Sequence, residues 1–226
     1  MARSLHQEAS QYGFERKDFL QFVNILLTLT AQPSASADGV GMERPLHVSP
    51  SVPPELPLRG ERVVIRPLDE TRDREQLTAW LQDEAGRLFL LLLTDAQMLD
   101  VDQLIANPSH RIGIITLQNG EPIGCLAFLQ VDETHRKAEL RKLIGPPAYR
   151  NRGLGREATR LWIEYGLRTL GLHKIYLNTL STNIRNIRLN EEVGFQVEGL
   201  LPDEVWIDGQ FQDVLRMGLT DPQEEM

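Results

Sequence analysis

The amino-acid sequence predicts a mixed α/β fold, and three observations carry that reading. From Glu61 onward, short β-branched runs alternate with stretches whose apolar residues recur at helical spacing. Asn119-Gly120 stands between two apolar runs, the pattern of a tight hairpin. The 226 residues, 41% hydrophobic and 25% charged, can bury a core and exclude collagen-like, coiled-coil and wholly disordered chains. The longest apolar run, Leu88 to Leu93, falls far short of the ~18 to 20 residues that a membrane-crossing helix needs.

Taken in order, Phe14 to Thr30 reads as a helix with Phe19, Phe22, Val23, Leu26, Leu27 and Leu29 on a broad apolar face. Such a face packs against the main domain or against a second copy of the chain, so a homodimer is one expectation. A membrane-surface role is disfavoured, because Glu15 and Asp18 offset Arg16 and Lys17. Ala31 to Leu58 collects Pro33, Pro45, Pro50, Pro53, Pro54 and Pro57 and reads as a linker. Residues 1–58 are therefore expected to be an appendage, with the main domain over 59–226.

Within that domain, Arg62 to Pro67 reads as a strand, and Asp69 to Asp83 as a helix with Leu77, Trp80 and Leu81 on one face. Asp95 suits the cap of a helix running through Ile105 and closing before Asn107-Pro108. His110 to Leu117 and Pro122 to Val131 make the two arms of the hairpin, and Ala138 to Ile144 makes a further strand. Gly153 to Leu170 reads as a helix, His173 to Leu180 as a strand and Asn183 to Val193 as a helix. Phe195 to Leu200 and Phe211 to Leu219 read as closing strands joined through Asp208-Gly209.

Charge and cysteine usage narrow the function classes. The net charge of −8 argues against wholesale nucleic-acid binding and mildly favours cationic substrates. The single cysteine, Cys125, excludes an internal disulfide and a cysteine-rich zinc site, and it falls in an apolar strand without an adjacent base to activate it. His135 and His173 lack metal-ligand spacing, so no metal is expected. Trp162, Tyr165 and Leu161 share one helix and read as core. The N-terminus lacks a basic segment followed by an apolar core, which makes the cytoplasm the expected compartment.

The chemistry concentrates between Ile144 and Arg156. Two prolines, Pro146 and Pro147, halt a strand; a turn with Gly153 and Gly155 follows, and a helix begins. Backbone N–H groups at a helix start lack intrahelical partners and carry partial positive charge. Glycines there let a phosphate approach without a Cβ in the way. Arg150, Arg152, Arg156 and Arg160 stand against Glu157 alone. Arginines near a helix start are commonly a solvated face, but the ordered glycines favour a phosphate cradle. Gly153-Leu-Gly155-Arg-Glu-Ala158 also satisfies a dinucleotide-binding G-x-G-x-x-[G/A] pattern. That reading wants an acidic residue on the next strand for a ribose hydroxyl, where Asn178 and Thr179 stand instead. A Walker loop fails for want of Gly-Lys-[Ser/Thr].

Arg150-x-x-Gly153-x-Gly155 after a strand resembles the pyrophosphate-binding signature of the GNAT family of N-acetyltransferases. Leu172-His-Lys-Ile-Tyr-Leu177 and Asn183-Ile-Arg-Asn186 through Gly194-Phe195 and Glu198-Gly199 resemble the second half of that family's domain. Asp208-Gly-Gln-Phe-Gln-Asp213 through Met217 resembles the terminal hairpin of the branch that acetylates ribosomal proteins, polyamines and nucleotide-sugar amines. The resemblance covers about residues 60–220. It implies a mostly antiparallel mixed sheet flanked by helices, in which Ala138–Ile144 and His173–Leu180 run parallel and splay apart around the arm of coenzyme A. It further implies that backbone groups of Leu143, Ile144 and Gly145 pair with that arm. The turn Arg150, Asn151, Arg152, Gly153, Leu154, Gly155 and Arg156 would hold the pyrophosphate, and Asn183 would bind cofactor. Gly194-Phe195 reads as a turn and a core anchor.

Two positions depart from the family pattern. Where many relatives carry a tyrosine that protonates the leaving thiolate, this chain has Asn190; where some carry a glutamate base, it has Asn178. Glu139 is the remaining candidate base, with Asp213 or Glu133 as substitutes; as a plain strand residue, Glu139 would simply pair with a neighbouring arginine. The expected activity is direct transfer from acetyl-CoA, or another acyl-CoA, to a primary amine of a small molecule, with an amino sugar or an α-amino group favoured. Acetylation of a protein N-terminus or lysine is the enzymatic alternative. A CoA-binding regulatory or scaffold module with weakened catalysis is the alternative from another class.

Overall fold

The computed structural model describes residues 55–83 and 101–221. The expected helix over Phe14–Thr30, most of the proline-rich linker and the Asp95 cap lie outside the described residues. The elements are β1 (Leu58–Arg59), β2 (Val63–Pro67), α1 (Glu70–Gln82), α2 (Val101–Ala106), β3 (Arg111–Leu117), β4 (Pro122–Asp132), β5 (Lys137–Ile144), a 3-10 turn (Pro147–Tyr149), α3 (Leu154–Arg168), β6 (Lys174–Leu180), α4 (Ile184–Glu192), β7 (Gln196–Ile207) and β8 (Gln210–Thr220). None of the described helices is long and apolar enough to cross a membrane.

The eight strands form one sheet in the order β1-β2-β3-β4-β5-β6-β8-β7. Every neighbouring pair is antiparallel except β5 and β6, which run parallel and pair only at Lys137↔Lys174, Ala138↔Ile175 and Glu139↔Tyr176. Beyond Glu139 the two strands part. The mixed, mostly antiparallel sheet and the splayed parallel pair match the expectation from the sequence.

At β3 and β4 both faces of the sheet are buried, which explains why these strands read as near-continuous apolar runs. Phe128, Leu126, Ala138 and Leu140 pack with Trp162, Ile163 and Ala158 of α3 on one face. Cys125, Ala127, Leu129 and Leu143 pack with Leu77, Trp80 and Leu81 of α1 and Leu104 of α2 on the other. Trp162 anchors the first face: it is fully buried, stacks on Phe128 at 5.3 Å and meets Tyr165 at 5.0 Å. Asp69 caps α1, its carboxylate accepting from the Arg72 N–H at 3.2 Å. Gly194, at φ 102°, makes the turn that sets Phe195 into the core.

Two elements exceed the sequence expectation. Leu58–Arg59, placed at the linker's end, forms an edge strand, and Leu58 is buried opposite Ile65. Strand β7 runs to Ile207 instead of stopping at Leu200. Pro202-Asp203 looks like a strand breaker, but the register shifts between Leu201 and Val205 and absorbs both residues, with Asp203 at φ 50°. At the tip of the β7–β8 hairpin, Trp206 and Phe211 meet edge-to-face at 4.8 Å and are exposed.

Candidate active site

The parting of β5 and β6 opens a cleft of about 760 Å³. Its walls are the end of β5 (Lys142, Leu143, Ile144), the turn before α3 (Tyr149, Arg150, Asn151, Gly153, Gly155, Arg156), the end of β6 (Asn178, Thr179, Leu180) and α4. The strand alternation decides which backbone groups it meets. The Gly145 N–H donates to the Ile123 carbonyl at 3.0 Å, so the backbone groups of Leu143 and Gly145 are directed at β4. Lys142 and Ile144 alternate with them and turn their backbone groups to the open side. Of the three backbone positions expected to pair with a cofactor arm, Ile144 is the one whose groups point away from β4.

The turn between β5 and α3 is built around Arg150. Its Nε donates to the Ile144 carbonyl at 3.0 Å, and its Nη2 donates to the Gly145 carbonyl and to Asp83 Oδ2, the latter at 2.9 Å. Arg150 therefore ties the strand end to the region after α1 while still lining the cleft. Gly153 caps α3 at φ 79°, ψ −3°, a left-handed conformation that a side chain strains, and no side chain caps the helix. Gly155 lies over Ile144: a Cβ there would meet Ile144 Cγ1 at 3.5 Å. Arg156 is exposed to the cleft and pairs with Glu192 of α4 at 2.8 Å. Arg152 and Leu154 do not line the cleft; the Arg152 carbonyl accepts from Arg62 at 2.9 Å, and Leu154 is buried in the core.

From α4 the cleft receives residues that the sequence reading passed over: Arg185, Arg188 and Leu189. Asn183 lines the cleft and also caps α4, its side chain accepting from the Asn186 N–H at 3.2 Å. The Asn186 amide in turn donates to Thr179 Oγ1 at 3.1 Å, fixing α4 against β6.

The candidate acid and base positions differ in their surroundings. Glu139 is buried at 6% exposure and does not line the cleft. Arg141 Nη2 lies 2.8 Å from its Oε1, and the Asn178 amide donates to the same oxygen. Asn178 stands between Glu139 and the cleft, and its Oδ1 accepts from Arg216 Nε at 3.3 Å. Asp213 Oδ1 accepts from the Asp203 N–H at 2.9 Å, and Glu133 is exposed in the β4–β5 connection. Asn190 is fully buried; its Oδ1 accepts from Lys142 Nζ, and its Nδ2 lies 3.8 Å from Met217 Sδ. Burial pushes the Lys142 ammonium down to about 7. Cys125 is buried, and burial pushes its thiol far up, which suits an inert core residue. Among the described residues no group of three or more His, Cys, Asp or Glu is placed to hold a metal ion.

The acetyltransferase (GNAT) domain profile matches residues 62–196. Spermidine N(1)-acetyltransferase of Escherichia coli (strain K12) is 34% identical over 116 residues, covering 51% of this chain and 61% of that protein. The ribosomal protein uS5-alanine N-acetyltransferase of the same organism is 36% identical over 74 residues, covering 33% of this chain and 38% of that one. A crystal structure of spermidine N-acetyltransferase from Vibrio cholerae in complex with CoA and spermine is 25% identical. It superposes with a TM-score of 0.62 over 71% of this chain and 96% of that one. The matched stretches span 54–61% of the length of the curated spermidine enzymes.

Proposed function

The chain belongs to the acetyltransferase (GNAT) family, and from that premise we propose that it transfers an acetyl group from acetyl-CoA to a primary amine of a small molecule. The observation that carries the reading is the cleft itself. Two parallel strands pair for three residues and then part, and the gap ends at a glycine-containing turn whose helix start has no side-chain cap. An extended arm laid along the open edge of β5 meets the backbone groups of Lys142 and Ile144, as an added strand would. Arg156, Arg185 and Arg188 supply positive charge for phosphates at the same end. The resemblance in fold to an enzyme crystallised with CoA supports the same placement.

Transfer proceeds directly in a ternary complex. The acceptor nitrogen attacks the thioester carbonyl, a tetrahedral intermediate forms, and the C–S bond breaks. Cys125, the chain's one thiol, is sealed in the core, so an acyl-cysteine intermediate is not part of this scheme.

For the acceptor, we favour an amine of low basicity, such as an amino sugar or an α-amino group. Glu139 is engaged by Arg141 and Asn178, and the carboxylate on the cleft wall, Glu192, is engaged by Arg156. A site with its described carboxylates so occupied suits an acceptor that arrives neutral. An alkyl amine with a pKa of ~10.4 is less than about 0.1% neutral at pH 7, whereas one near ~7.5 is about a quarter neutral. The second reading, a polyamine acceptor, is favoured by the spermidine acetyltransferases among the relatives. Thiol release from acetyl-CoA, measured against a series of amines of graded pKa that includes spermidine, decides between them. Highest kcat/KM for spermidine selects the second reading, and absence of CoA binding by calorimetry rejects both.

A further inference from the structure

We propose that Lys142 is the proton donor to the departing CoA thiolate, an assignment that rests on the acyltransferase reading of the cleft. Lys142 lies three residues beyond the last β5–β6 pair, where the strands have parted, and it lines the cleft. Behind it stands Asn190, fully buried, whose carbonyl oxygen accepts from the Lys142 ammonium. A carboxamide has no proton to give near neutral pH, but its oxygen can aim an ammonium that does. The amide side of Asn190 faces Met217 of β8, so the oxygen is the end turned toward Lys142.

The other titratable groups on the cleft wall do not suit the role. A guanidinium is a poor general acid near neutral pH, which sets aside the cleft arginines Arg150, Arg156, Arg185 and Arg188. Tyr149 donates its hydroxyl to Glu121 Oε1 at 2.5 Å, and that hydrogen bond holds its pKa above the ordinary tyrosine value. Glu192, on α4, is ion-paired with Arg156. From β6 the cleft receives Asn178 and Thr179, which do not titrate, and from β8 the pair is backed by Met217. Among the described residues that line the cleft, Lys142 is the one with a transferable proton not committed to a carboxylate, and its burial brings the ammonium close to the pH at which a general acid is most effective.

The step balances without a further reactant. The acceptor nitrogen forms its bond to the acyl carbon, the C–S electron pair moves to sulfur, and the Lys142 ammonium gives its proton to that sulfur. The proton shed by the acceptor nitrogen restores the ammonium through water.

The test uses the full chain as wild type, Lys142→Met and Lys142→Arg, with acetyl-CoA and saturating acceptor. Lys142→Met should bind CoA within about threefold of wild type by calorimetry, while kcat at pH 7 falls by about 100-fold. Wild-type kcat should decline at alkaline pH as the lysine loses its proton, and this decline should vanish in Lys142→Met. Lys142→Arg should be equally slow, since a guanidinium keeps the charge but not a transferable proton. Wild-type kcat and an unchanged pH profile in Lys142→Met would overturn the assignment alone, with CoA binding intact. So would a fully active Lys142→Arg, or an acetyl group found on Lys142 by intact-protein mass after turnover. A wild-type chain that binds no CoA would remove the acyltransferase reading and this assignment together.

Discussion

The two halves of strand β5 make an instructive contrast. Lys137–Glu139 is held by neighbours on both sides, β4 and β6, and Glu139 meets Arg141 and Asn178. Lys142–Ile144 has β4 as its one strand neighbour, and its other edge lines the cleft. One strand with one alternation thus belongs first to the body of the protein and then to its site. The difference is set from outside the strand, by where β6 turns away. Substitutions in the body should therefore lower stability with little specific loss of ligand affinity, and substitutions around the open half should do the reverse.

The largest effect is expected at Trp162. Its replacement by Ala removes the stack on Phe128 and leaves a cavity beneath α3, at a cost of about 3–5 kcal/mol. Urea unfolding measures this, and the folded fraction should still bind CoA with wild-type affinity; a matching loss of affinity would erase the contrast.

Next comes Asp73, 4% exposed, whose carboxylate accepts from Arg66 at 2.6 and 2.7 Å and from the Asp69 N–H at 2.9 Å. Burial pushes its pKa up, but the Arg66 and backbone hydrogen bonds together with the arginine charges hold it below the usual aspartate value. Asp73→Ala should cost about 3 kcal/mol at pH 7, since it leaves the half-buried Arg66 guanidinium without its carboxylate. Because the folded-state pKa is the lower one, this contribution is complete above the unfolded value and is lost as pH falls through the folded value. Parallel acid titrations of wild type and variant should converge there.

Gly155 tests the open half. A Cβ there makes only ordinary contact with Ile144, so Gly155→Val should unfold within about 1 kcal/mol of wild type, while its branches crowd the cleft. CoA affinity should drop by about tenfold, or ~1.4 kcal/mol, in a calorimetric titration.

The smallest shift is a stability effect within the site. Lys142 has a folded-state pKa of about 7 against an ordinary 10.5, so the unfolded chain holds more protons between those values and stability rises with pH across that window. From pH 7.5 to 8.5 wild type should gain roughly 1 kcal/mol relative to Lys142→Met, read from melting curves.

Much of this arrangement was legible in the residues. The glycine turn, the helix start at Asn183 and the parting strands follow from local chemistry and from the family resemblance. The role of Arg150 as a clamp was not, because its partners are two strand-end carbonyls and Asp83, which is 67 residues away in sequence. Lys142 was equally hidden: in Lys-Ala-Glu-Leu-Arg-Lys-Leu-Ile it reads as another polar strand residue. Only tertiary placement shows that it falls beyond the last paired position and meets Asn190 from a helix 48 residues on. Leu58 looked like linker because a two-residue edge strand carries no periodicity of its own.

The strand order has a consequence for how the chain is made. β6 shares only three pairs with β5, but it pairs with β8 along its whole length, from Lys174↔Thr220 to Leu180↔Val214. β8 is also the sheet partner of β7. During synthesis, β1 to β5 can zip as neighbours in sequence while β6 waits for a strand that begins 30 residues after its own end. The far wall of the cleft is therefore among the last parts of the sheet to be secured, and a ribosome-bound chain paused before Gln210 should hold a formed β2–β5 sheet but bind no CoA.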